Sequence, residues 1–321
     1  MSALLDYLAA LRGSVLDEVS GGQIPPMSKL TGARSDHLAI AVCLGDGEVM
    51  SVGTRHEFAI QSISKAFGYA AALDHRGEDH VLNRVDVEPT GEVFNAVSLN
   101  LDTGRPKNPL INIGAIRIHA MLGTSRRERR ERLHEAMCRA AGRDLEVHAD
   151  TLEAEMEDAD RNLALAHMLR AAGQMAEDSH DVVEGYVRGC STLVTAEDLS
   201  VMAATLSSGG VNPKTGERVF SRRAAKLTMS VMMTCGMYDD AGDWMTDVGL
   251  PAKSGVGGGI LAALPPKLGF ATFSPSLDEH GNPVRGTACF DRMSRDFALH
   301  MLDGASVVDA EARAEDLLRR R

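Results

Sequence analysis

The sequence contains no C-x-x-C pair. Its five cysteines, Cys43, Cys138, Cys190, Cys235 and Cys289, are odd in number and scattered over 321 residues. That argues against a disulfide framework and for buried thiols in a reducing compartment. Long hydrophobic runs are missing as well: the longest apolar stretch with strand or membrane character covers 38–44, far short of the roughly 20 residues a membrane helix needs. Positive charge is in deficit, with 34 Lys and Arg against 45 Asp and Glu and a net charge of −11. Such a balance does not suit nucleic-acid binding, which needs a basic surface to neutralise phosphates. The eleven histidines are dispersed and no H-E-x-x-H occurs, so no metal site is expected. A phosphate-binding loop fails too, because GLPAKSG lacks a glycine directly before Lys253-Ser254 and GVGGGI lacks the G-x-G-x-x-G spacing. The opening MSALLDYLAALRGSVLDEVS carries Asp6 and Asp17 and has neither a basic n-region nor an A-x-A site. It predicts an amphipathic helix rather than a signal peptide, and a cytoplasmic protein.

What is present is globular. Hydrophobic residues make up 44% and charged residues 25%, enough for a buried core in one large or two ordinary domains. Leu4, Leu8, Leu11 and Val15 fall at helical spacing within 3–18. HLAIAVCL and EVMSVG flank the turn GDG and predict a β-hairpin. From Gln61 to about Gly210 the pattern is mostly helical. GLPAKSGVGGGILAALPPKLGFATFSP then predicts two strands around Pro265-Pro266-Lys267, GTACFDRM one more, and a closing helix includes His300. Sheet-forming sequence at both ends with a helical block between them implies an α+β fold. Residues 1–60 with 240–321 are expected to form a sheet subdomain, and 61–239 a mostly helical one carrying Ser62 and Lys65. The arginine-rich runs SRRERRERL and EDLLRRR are interleaved with acids or terminal, which fits solvated helix faces.

One segment could supply a nucleophile. In FAIQSISKAFGYAAAL, Ser62 and Lys65 stand at S-x-x-K spacing at the start of a helical run. Ile63, Ala66, Phe67 and Ala70 mark its packed face and leave Ser62, Lys65 and Tyr69 on an adjoining one. Serine needs a base and a place for developing negative charge. A neutral lysine one turn on is a base, and burial or a nearby cation lowers its pKa in the required direction. S-x-x-K alone is weak, with roughly 0.5 matches expected by chance. Lys253-Ser254-Gly255, with roughly 0.08 chance matches to K-[ST]-G, is far more specific. S-x-x-K near the front and K-[ST]-G near the back is the arrangement of penicillin-recognising serine acyl-transfer enzymes. There the strand brings its lysine beside the nucleophile, a backbone amide helps form the oxyanion hole, and glycines admit the substrate close to the backbone.

QSISKAF, NPLINIGAI, ADRN, CGMYD and GLPAKSGVGGGI, in this order, resemble the serine-dependent glutaminases, relatives by fold of the serine β-lactamases and penicillin-binding proteins. The resemblance runs from about Gly21 to Gly286 and includes VMAATLSSGGVNPKTGERV. It implies a β-lactamase/transpeptidase-like antiparallel sheet flanked by helices, with a mostly helical inserted subdomain. It also implies hydrolysis of L-glutamine to L-glutamate and ammonia, no metal or organic cofactor, and a homodimer or homotetramer. Residue by residue it makes Ser62 the nucleophile and Lys65 the general base. Gln61, Asn112, Glu155, Asn162, Tyr186, Tyr238 and Val256 line the glutamine site, with Lys253 and Gly255 in support.

The chemistry of these residue types agrees. Glu155 is the only acid in the set and suits the α-ammonium, whereas Asn112, Asn162 and Tyr186 suit the carboxylate. Tyr238 could relay a proton to the leaving ammonia. Lys253 is expected to keep Lys65 deprotonated by repulsion. One position departs from the family pattern: Gln23 stands before Ile24-Pro25 where the family usually has a tyrosine. Two rival functions are a β-lactamase-like or peptidoglycan acyl hydrolase, disfavoured by the missing S-D-N element, and a catalytically silent amino-acid-binding protein, motivated by Gln23.

Overall fold

Strand-forming runs from the two ends of the chain meet in one sheet. In a computed structural model describing residues 2–20, 22–90, 98–100, 102–266, 268–303 and 310–319, the 38–53 segment forms the hairpin β1 (Ala39–Cys43) and β2 (Val49–Gly53). Two short strands, β3 (Phe58–Ala59) and β4 (Leu193–Val194), pair separately. The late Gly-rich region supplies three strands rather than the expected two: β5 (Ala252–Ser254), β6 (Gly259–Leu264) and β7 (Leu268–Phe273). The extra strand is the Lys253-Ser254 segment itself, set off from β6 by the turn through Gly258. The sheet order is β2-β1-β7-β6-β5, antiparallel throughout, so β1 pairs with β7 from the far end of the chain. This is the α+β fold: an antiparallel sheet flanked by helices.

Both faces of the sheet are covered, and alternate residues divide between them. Ile40, Val42, Ile260, Ala262 and Phe270 pack with Leu8, Leu11, Phe290 and Met293 from helices Ala3–Glu18 and Val284–Phe297. Ala41, Leu261, Ala271 and Phe273 turn to the other side, toward Leu199, Met202 and Ala203 of helix Ala196–Ser207. A capping box between Thr195 and Asp198 starts that helix. It lies so close to β7 that a Cβ on Gly269 would stand 2.1 Å from the Ser200 carbonyl oxygen. A third core joins helices Asn112–Ala120, Asp160–Ala171 and Ser179–Cys190 through Ile116, Leu165, Leu169, Val183 and Val187.

Several expectations are corrected. GTACFDRM belongs to helix Val284–Phe297, because Cys289, Phe290, Met293 and Phe297 repeat with helical period and are all buried. That helix does not reach His300: Ala298, at φ 52°, turns it off in the left-handed region, and His300 then pairs with the Met245 carbonyl. Helix Ser64–Arg76 has no half-exposed face over its first ten residues, all of which are buried, and Tyr69 lies in the core rather than beside Ser62. The arginine-rich run forms helix Arg126–Ala141, capped by Ser125, with Arg126, Arg127 and Arg130 in ion pairs and Arg129 buried. Among the described residues no helix is long and apolar enough to cross a membrane.

Phe273 is fully buried and stacks on Phe58, with ring centroids 4.2 Å apart, and on His56. Phe273→Ala should cost about 3–5 kcal/mol, measured as a lowered denaturant midpoint with unchanged slope.

Candidate active site

β3 ends at Ala59, and the chain must then turn sharply into a helix. Gln61 makes that turn in the left-handed region, at φ 52°, a conformation that costs a non-glycine residue of the order of 1 kcal/mol and persists only where surroundings impose it. The turn Gln61–Ile63 leads directly into helix Ser64–Arg76. Ser62 therefore sits at the head of the helix, where backbone N–H groups lack partners within it and the dipole is positive. Lys65 follows one turn later on the same face. Both are buried, Ser62 at 7% exposure and Lys65 at 3%.

Burial pulls the Lys65 amine down to about 8, with a small opposing pull from Cys190. Its Nζ donates to Asn112 Oδ1 at 2.7 Å. Asn112 opens helix Asn112–Ala120, and its Nδ2 donates to Asn162 Oδ1 at 3.3 Å near the start of helix Asp160–Ala171. Tyr186 OH reaches the same Asn112 oxygen at 3.5 Å. Gln61 Nε2 donates to Glu155 Oε1 at 3.0 Å. Burial raises the Glu155 carboxyl, and the Gln61 bond opposes this. These residues come from six helical segments: Lys65, Asn112, Asn162 and Tyr186 form one hydrogen-bonded set, and Gln61, the chain neighbour of Ser62, pairs with Glu155.

The opposite wall comes from β5 and its turn. Tyr238, the second left-handed non-glycine residue of this region at φ 56°, is buried, and burial pushes its phenol up to about 12. Hydrogen bonds with the Ser62 side chain and the Val256 backbone amide work against that shift. Tyr238 hence links the nucleophile turn to the strand edge. Beneath its ring lies Lys253, fully buried, with Nζ 4.2 Å from the ring centroid and donating to the carbonyls of Gly236 and Ser254 at 2.7 and 2.8 Å. Burial lowers the Lys253 amine first, and the Lys65 charge lowers it further. Burial is the larger influence on both amines, and because repulsion between two ammonium groups is mutual, a charge on either lysine disfavours one on the other.

The glycines after Lys253-Ser254 have a packing reason as well. A Cβ on Gly257 would stand 2.2 Å from the Ala59 carbonyl oxygen, and one on Gly255 would stand 2.9 Å from that of Ile60. They let the strand edge lie against the nucleophile's own turn. Gln23 is exposed; among the described residues its side chain makes no hydrogen bond, and its backbone pairs with Leu277. Ser28, a few residues on, donates to the Val256 carbonyl at 3.2 Å.

Two neighbours were not singled out from sequence. Ser64 Oγ donates to the Gln61 carbonyl at 2.7 Å and lies 3.6 Å from Cys190 Sγ, which burial raises to about 11. Cys190 is four residues after Tyr186 on one helix, so helical spacing alone could have placed it beside the site. Among the described residues no group of three His, Cys, Asp or Glu side chains could hold a metal ion.

The close approach at Gly257 gives a direct test. Gly257→Ala should displace the 59–63 turn and lower turnover at least about tenfold, as a shift of roughly 1 Å in a reacting group does. A folded variant with unchanged kcat would contradict that coupling.

The sequence model of the family described as Glutaminase matches residues 22–302. A glutaminase of Corynebacterium efficiens is 44% identical over 313 residues, covering 96% of this chain and 74% of the relative. One from Microcystis aeruginosa is 41% identical over 302 residues, covering 94% and 89%. Among solved structures, Mglu in its glutamate form superposes with a TM-score of 0.89 at 46% identity, covering 94% of this chain and 71% of that one. The probable glutaminase YbaS gives 0.90 at 34% identity over 94% and 99%. With the family model spanning 22–302 and relatives matched over nearly the whole chain, the chain belongs to the glutaminase family.

Proposed function

We propose that the reaction of this family, hydrolysis of L-glutamine to L-glutamate and ammonia, runs here through an acyl-enzyme on Ser62. The observation that carries this reading is the pairing of Ser62, at the head of a helix, with a buried Lys65 whose amine is drawn down to about 8. A neutral Lys65 spends one N–H on Asn112 and keeps its lone pair for the Ser62 proton. Ser62 Oγ then attacks the side-chain amide carbon. The backbone N–H groups of Ser62 and Val256 receive the oxyanion, each worth roughly 3–4 kcal/mol where well placed. Tyr238, held protonated by burial, is suited to donate toward the departing ammonia rather than to act as a base. The Lys65 ammonium returns its proton to Tyr238 and is neutral again; Lys65 then deprotonates the water that attacks the γ-glutamyl ester, and that proton passes to the Ser62 oxygen as glutamate leaves.

Substrate orientation follows from charge. Glu155, steadied by Gln61, takes the α-ammonium, and a bound cation offsets the burial that raises its carboxyl. Asn112, Asn162 and Tyr186 take the α-carboxylate with neutral donors. Lys253 holds the strand edge and the Tyr238 ring in place through the Gly236 and Ser254 carbonyls. In this reading the site lies in the seam between a sheet subdomain, 1–60 with 240–321, and a helical subdomain, 61–239.

Ser62→Ala should cut ammonia release from L-glutamine by at least about 10⁴-fold while leaving the melting temperature near that of the parent. Near-normal turnover would remove Ser62 from the mechanism. Because the base must be uncharged, kcat/KM should rise as pH increases and level off above about 8, the value to which burial lowers Lys65. A profile flat from pH 6 to 9 would exclude Lys65 as the base.

A further inference from the structure

A second polar cleft, of about 740 Å³, opens where helices Ser64–Arg76 and Asn112–Ala120 both end. The first helix separates it from Ser62 by about 20 Å, at 1.5 Å rise per residue. Arg76, His80, Arg84 and Arg117 line it, with Glu177 as the one carboxylate among the lining residues. This is a concentration of positive charge on a chain whose net charge is −11.

Part of that charge has a structural reason. Arg76 and Arg117 occupy last turns, where cations complement the helix dipole, and Arg76 Nε donates to the Met121 carbonyl at 2.9 Å. Arg84 Nη1 likewise donates to the His80 carbonyl at 3.0 Å. Arg117 is different. It is 6% exposed, and its Nε and Nη1 have no hydrogen-bond partner among the described residues. None of the three arginines forms an ion pair among the described residues, and Glu177 comes no closer than a long-range attraction. A buried guanidinium with two unused donors is costly unless an acceptor completes it. The local field agrees: His80 is held below its ordinary value by burial and then by Arg84, Arg76 and Arg117 in turn.

We propose that this cleft binds a small polyvalent oxyanion, a phosphate compound or a di- or tricarboxylate, seated on the Arg117 guanidinium with Arg76 and Arg84 at its sides. Guanidinium pairs with either group through two parallel N–H bonds. The site lies apart from Ser62 and is independent of the acyl-enzyme reading.

Calorimetric titration of the intact protein with inorganic phosphate and, separately, with citrate tests this, with L-glutamate present at saturation to occupy the catalytic site. One equivalent of at least one anion should bind saturably, and whichever binds assigns the phosphoryl or the carboxylate source. Arg117→Met should weaken binding at least about tenfold, the loss of one charge-assisted contact. Arg117 is buried and its replacement could unfold the chain, so two half-exposed positions carry the test independently. Arg84→Gln should weaken binding severalfold, and Glu177→Gln should tighten it, with kcat for glutamine unchanged in both. Absence of saturable binding by either anion up to about 10 mM, equivalent to an affinity weaker than about 3 kcal/mol, would overturn the proposal. Affinities unaffected by both Arg84→Gln and Glu177→Gln would do the same.

Discussion

Two backbone segments far apart in sequence touch at the active site, and the rest of the arrangement depends on that contact. The turn after β5 lies against Ala59–Ile63 with no room for side chains between them, which is why Gly255 and Gly257 stand there. The contact fixes where the Val256 amide points relative to Ser62, and Tyr238 spans the same gap. Interiors are close-packed and transmit displacement, so a single methyl at this seam reaches the reacting atoms. The sheet order has the same consequence: β1 pairs with β7, so the strand edge bearing Lys253 is registered by the opening hairpin.

Electrostatics in the site rest first on burial. Lys65 and Lys253 are both enclosed, and each finds oxygen acceptors: Asn112 for the first, two backbone carbonyls for the second. Desolvation makes Lys65 a usable base near neutral pH. Lys253 is positioned as a structural cation or amine whose ammonium form is opposed by Lys65. The strained φ values at Gln61 and Tyr238 fall on the two sides of the reacting centre. Outliers held this way belong to sites where geometry matters more than local stability.

The helix that begins at Asn112 also ends at Arg117 and His119. One rigid element therefore runs from the lysine's hydrogen-bond partner to the arginine cleft. It links the candidate active site to a cleft with surplus positive charge.

The sequence alone determined the hairpin, the opening helix and the two lysine motifs. Their alternation, spacing and turn residues are local, and local geometry dictates them. The ordered motifs also marked Ser62, Lys65, Asn112, Glu155, Asn162, Tyr186 and Tyr238 as candidates for one site. Tertiary structure decided what depends on contacts between distant segments. It made GTACFDRM a helix because its apolar residues had one core face to meet, and moved Tyr69 into the core because helix Ser64–Arg76 is enclosed on every side. It gave the late glycines a packing role, joined Gln61 to Glu155, set Cys190 beside Ser64, and buried both lysines. Burial and close approach are properties of the folded whole, and no spacing along a chain encodes them.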